Sequence, residues 1–120
     1  MTNICEVKDI QTLDSIFSLA GAIVLKNSPY CGISRMARRE LERFMNETNK
    51  DVPVFMIDVI DERDISRMMA QRTGVSHESP QAFYLEHGEV KWHASHYGIT
   101  VEAIVTGCGE QLNDQEDARE

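Results

Sequence analysis

The stretch that decides the fold runs Ala22-Ile23-Val24-Leu25-Lys26-Asn27-Ser28-Pro29-Tyr30-Cys31-Gly32-Ile33-Ser34. Its four consecutive apolar residues, Ala22 to Leu25, mark a strand buried on both faces. Past Cys31, residues Ile33, Met36, Ala37, Leu41, Phe44 and Met45 fall on one helical stripe, with Arg38, Arg39, Glu42 and Glu47 mostly outside it. Cys31 therefore stands at a strand-to-helix junction. There it meets the first unpaired N–H groups of the helix and the positive end of its dipole, and both favour thiolate over thiol. Three residues on, where a dithiol pair would place its second cysteine, stands Ser34. This pairing points to thiol–disulfide chemistry carried by one sulfur.

Upstream, Ile10, Leu13, Ile16, Phe17 and Ala20 have helical spacing and Gly21 follows as a stop. Downstream, Val52 to Val59 reads as a second central strand, with Pro53 tolerated near its start. A helix with Ile65, Met68 and Met69 inward ends at Gly74. Gln81 to Leu85 and Val90 to His93 flank His87-Gly88-Glu89 as a β-hairpin. A last helix carries Val101, Ile104, Val105, Cys108 and Leu112 on one face, loosened by Gly107 and Gly109. Strands joined through a helix are expected to be parallel with a right-handed crossover. The hairpin adds an antiparallel edge. The expectation is an α/β, thioredoxin-like fold: a central mixed four-stranded sheet flanked by helices.

The chain has 120 residues, enough for one domain with a real core and too few for two. We expect that domain over residues 1–112, followed by an acidic, disordered tail over 113–120. The net charge of −8 argues against nucleic acid or an anionic membrane as partner. No apolar run approaches the ~20 residues of a membrane span, and no basic-then-apolar leader is present, so a cytoplasmic location is expected. Three widely separated cysteines do not form a disulfide framework. Cys108 reads as a small core residue, and Cys5, in an N-terminal stretch without clear pattern, as structural or incidental. His77, His93 and His96 lack a clean ligand pattern, so neither a metal nor a cofactor is expected. Trp92 reads as core or as cover for the sheet edge.

Free thiols titrate near ~8.5, and helix N-termini or cations bring them to roughly 3.5–7.5. The dipole contributes only about 0.3–1 kcal/mol at an exposed site, too little to reach the low end of that range. Direct hydrogen bonds from the N–H groups of Ile33 and Ser34 and from the Ser34 hydroxyl are therefore expected. Arg35 is a cation in the first helical turn, where the dipole disfavours one, which hints at another use. Ser34 itself forms no disulfide, so any resolving thiol comes from outside.

Several blocks carry a resemblance: Cys31-Gly32-Ile33-Ser34, Asp58 to Arg63, His77-Glu78-Ser79-Pro80-Gln81-Ala82-Phe83, Trp92 to His96, and Ile99-Thr100. Together they resemble the monothiol bacilliredoxin family of the bacillithiol system, from about Asp9 to Val105. Where that family usually has Thr-Cys-Pro-Ile-Ser, this chain has Tyr30-Cys31-Gly32-Ile33-Ser34. Gly32 forgoes the preset φ of proline, which predicts a looser start to the helix. The resemblance implies an oxidoreductase that removes bacillithiol, or a similar small thiol, from protein mixed disulfides. Cys31 and Ser34 would be its catalytic residues. Tyr30, Gly32, Ser79, Pro80 and His77 would bind substrate. It also implies a cis Ser79-Pro80 bond facing the cysteine; if that loop lies there, His77 is near Cys31 and could stabilise a thiolate. Bacillithiolated client proteins would be the partners, with bacillithiol or another redoxin as reductant. The rival readings are a non-catalytic adaptor of the same fold and a thiol-based redox sensor.

Overall fold

The computed structural model describes residues 3–109. The acidic tail and Leu112 lie outside the described residues. The elements run β1 (Ile4–Glu6), α1 (Ile10–Ile16), β2 (Ala22–Asn27), α2 (Gly32–Glu47), β3 (Val54–Asp58), α3 (Arg63–Thr73), β4 (Gln81–Glu86), β5 (Glu89–Ser95), a 3-10 turn (His96–Gly98) and α4 (Val101–Cys108). The sheet has five strands in the order β1-β3-β2-β4-β5, one more than the sequence suggested. The extra strand, β1, is only three residues long and pairs in parallel with β3, Ile4 opposite Val54. A run that short has no readable period. Cys5 lies on it and is exposed. β2 is parallel to β3, β4 is antiparallel to β2, and β5 is antiparallel to β4.

The alternation of β2 divides the core. Ile23 and Leu25 pack with Ala37, Leu41 and Phe44 of α2 and with Val101, Ile104 and Cys108 of α4. Ala22 and Val24 pack with Leu13 and Ile16 of α1 and with Ile65 and Met69 of α3. Both faces of β2 are thus covered, as the unbroken apolar run required. Cys108 is buried, in agreement with its reading as core.

Three local readings need correction. The first helix stops at Ile16, four residues before Ala20. Ser18 donates from both its amide and its hydroxyl to the Ser15 carbonyl, which closes the last turn tightly and ends the helix. Met36 is 45% exposed, because it lies about a third of a turn from the Ala37–Leu41–Phe44 stripe. Its place under the helix is taken by Ser34, which is fully buried. Gly107 is a packing requirement: a Cβ there would stand 2.2 Å from Cγ of Trp92. Trp92 packs against the core cluster, with its ring close to α4 at Gly107.

Candidate active site

The chain leaves β2 through a β-turn in which the Cys31 amide donates to the Ser28 carbonyl at 3.2 Å. Pro29 occupies the second position of that turn, where its fixed φ is an advantage. Cys31 follows as the N-cap of α2, with extended backbone (φ −108, ψ 128), and its carbonyl receives the first helical bond, from the Arg35 amide at 3.1 Å. The sulfur is partly exposed at the junction.

Its thiol pKa lies below the ordinary value. The N–H of Ser34 does most to lower it, then the N–H of Ile33; partial burial opposes them, and the Ser34 hydroxyl and the Arg35 charge add to the lowering. All four favourable groups belong to the first turn of α2, and backbone N–H groups lead, as a cap position dictates. The sulfur closes no cap hydrogen bond in this conformation. The donors are in place for the charged form. Ser34 is held from the other side, since its Oγ accepts from the Ser28 amide at 3.1 Å. That bond leaves the hydroxyl hydrogen free to point at Cys31.

The remaining residues of the expected site distribute unevenly. Tyr30, beside the cysteine, is 83% exposed. Gly32 is the first helical residue, and a Cβ there would meet nothing nearer than the Arg35 guanidinium at 3.7 Å. The Ser79-Pro80 bond is cis. Gln81 is paired with Lys26, so the two residues before Gln81 continue to the sheet end from which the Ser28–Cys31 turn departs. Pro80 is buried, and Ser79 Oγ is buried without a hydrogen-bond partner. His77 has its Nδ1 3.4 Å from Ser66 Oγ of α3. Partial burial holds its pKa down, the charge of Lys26 adds to that, and Glu78 opposes it. His93 stacks at a tilt on Phe83 and His96 lies 3.4 Å from Glu78. Among the described residues no group of three or more histidines, cysteines or carboxylates could hold a metal ion.

The description of the monothiol bacilliredoxin BrxC family matches residues 3–104. The chain belongs to that family. A thioredoxin-fold protein described as a candidate oxidoreductase is 31% identical, with a TM-score of 0.81 over 87% of this chain and 92% of its own. Chloroplastic thioredoxin z is 21% identical, with a TM-score of 0.70 over 91% of this chain and 94% of its own. A thioredoxin variant from Halobacterium salinarum NRC-1 is 19% identical, with a TM-score of 0.66 over 84% and 83%. The two thioredoxins speak for the fold alone. As a bacilliredoxin-family protein of thioredoxin fold, the chain is a thiol-redox protein. No described helix is long and apolar enough to cross a membrane.

Two features of this member escaped the sequence reading. Lys26, inside the strand that feeds the site, is fully buried and its Nζ has no partner. Desolvation lowers its pKa to about 8. A lysine ending an apolar run is a weak signal, because strand ends are commonly solvated. Arg35, whose place in the first turn hinted at another use, lines a groove together with Arg38, Arg39, Asn27, Pro29 and Glu42. The signal was present in the concentration of arginine at that one turn of an acidic chain.

Proposed function

We propose that the protein removes bacillithiol, or a similar small thiol, from protein mixed disulfides by a monothiol route. The Cys31 thiolate attacks the bacillithiol sulfur of the mixed disulfide. A Cys31–bacillithiol disulfide forms as the client–bacillithiol bond breaks, and the client thiolate leaves and takes a proton from water. A second thiolate, from free bacillithiol or another redoxin, attacks the bacillithiol sulfur and releases Cys31. Ser34 serves as hydrogen-bond donor to the thiolate and takes no part in resolution. Tyr30, Gly32, Ser79, Pro80 and His77 are the proposed contacts to the mixed disulfide.

The observation that supports this reading is the lowered pKa of Cys31, with a hydroxyl where a second sulfur would resolve the intermediate. An adaptor would have no use for that activation. The test is intact-mass spectrometry of reduced protein mixed with a bacillithiolated client, beside a Cys31→Ser control. The expected result is one bacillithiol on the wild type, reduced client released, and no transfer in the control. Folded, reduced wild type that accepts nothing would overturn the reading in favour of the adaptor.

A further inference from the structure

An acidic chain of net charge −8 leaves few cations free. Lys8, Arg38, Arg43, Arg67, Arg72 and Lys91 each pair with a carboxylate. Lys50 donates to the Tyr84 hydroxyl and the Cys108 carbonyl, and Lys26 is buried. Among the described residues, Arg35, Arg39 and Arg63 remain exposed without a carboxylate partner. Arg63 stands between Glu62 and Asp64 at the start of α3, so its charge is offset locally. Arg35 and Arg39 are one turn apart on α2. The carboxylate that shares their groove, Glu42, is taken by Arg38 at 3.2 Å. Free positive charge is therefore concentrated on the α2 side of Cys31.

Arg35 reaches back over the helix start, since a Cβ on Gly32 would stand 3.7 Å from its Nη2. The helix dipole opposes a cation there. Two exposed tyrosines share this end of the sheet. Tyr30, beside the sulfur, is 83% exposed. Tyr97 is 66% exposed, in the turn whose His96 amide donates to the Pro80 carbonyl at 3.0 Å. Open tyrosine and arginine together have the composition of a protein-binding surface.

We propose that the Arg35–Arg39 face of α2 docks the client protein through acidic residues that flank its reacting cysteine. Elsewhere the negative charge of this chain repels such a client. Attraction at this one face then turns the client's mixed disulfide toward Cys31. Clients with acidic flanks are preferred over neutral ones that carry the same small thiol. The inference rests on the thiol-transfer reading and names the clients it favours.

The test uses two synthetic peptides, each with one bacillithiolated cysteine, flanked by glutamates in one and by glutamines in the other. Transfer rates are measured with wild type, Arg39→Gln and Arg39→Lys. Comparing proteins on each peptide cancels the peptides' own reactivities. The glutamate-to-glutamine rate ratio is expected to fall about tenfold in Arg39→Gln, to be largely kept in Arg39→Lys, and to shrink in wild type at high salt. A ratio equal in wild type and Arg39→Gln would overturn the docking face. Fluorescence anisotropy of the same peptides with serine for cysteine reads docking without transfer, and the Kd ratio should change in the same way. Wild type that binds both serine peptides equally, or neither, would overturn the docking face. Wild type that prefers the glutamate peptide in binding but accepts bacillithiol from neither would overturn the transfer reading alone. Arg39 is exposed on a helix, and matched circular dichroism spectra check that the variants fold.

Discussion

Ser34 Oγ accepts the Ser28 amide at 3.1 Å, and this one bond ties the turn before Cys31 to the helix after it. The hydroxyl accepts on the loop side, which positions the turn, and its own hydrogen is left for the sulfur, whose pKa the Ser34 side chain helps to lower. A buried serine in an otherwise apolar stripe is explained by this double use.

Ser34→Ala is expected to raise the Cys31 pKa while leaving the larger contributions of the Ser34 and Ile33 amides in place. The thiolate fraction falls as pH drops through the thiol pKa, so alkylation by iodoacetamide followed against pH should move to higher pH in the variant. The lost acceptor for Ser28 should also cost about 1 kcal/mol of stability. An unshifted alkylation profile would remove Ser34 from the activation of Cys31.

Lys26→Met is expected to stabilise the protein by about 1–3 kcal/mol near neutral pH, since it removes a buried, unpartnered ammonium. The folded pKa of Lys26 lies near 8, below the unfolded value of 10.5. Between these values the unfolded chain binds the extra proton, so wild-type stability rises with pH across that window. The advantage of Lys26→Met should accordingly be full below pH 8 and fade toward pH 10.5. Urea unfolding of both proteins across that range measures it. Without the Lys26 charge, the pKa of His77 should also rise, which NMR titration reports.

Gly107→Ala should destabilise by about 1–3 kcal/mol, because the new methyl would overlap the Trp92 ring and force α4 or the indole to move. Thermal unfolding gives the shift. Gly109, whose φ of 66 caps α4 and whose Cβ would meet nothing within 4 Å among the described residues, should lose less stability as asparagine than as a β-branched residue in the same thermal scans.

Gly32→Pro should raise stability by about 0.4–1 kcal/mol through the unfolded chain. The extended backbone of Cys31 suits a following proline, and the first helical position has no amide bond to lose. Because the amides that lower the Cys31 pKa belong to Ser34 and Ile33, the alkylation profile should stay in place. A profile displaced in this variant would show that the freedom of Gly32 sets the activation.

The chain's own pattern determined much of the architecture. The apolar run of β2, the stripes of α2 and α3, the left-handed cap at Gly74 and the hairpin after Pro80 were all readable, because each is a local period or a local backbone demand. Cys31 at a helix start, with Ser34 in its first turn, was legible for the same reason: activation by backbone N–H groups needs only sequence neighbours. What lay beyond the sequence depends on distant partners. β1 becomes a strand only through β3, Gly107 is required only because Trp92 crosses it, and Lys26 is orphaned only because its end of the strand is covered. The groove likewise exists because the turn out of β2 lays Asn27 and Pro29 against the arginine face of α2. Periodicity fixes which face of an element is apolar; only packing decides what stands opposite the other face.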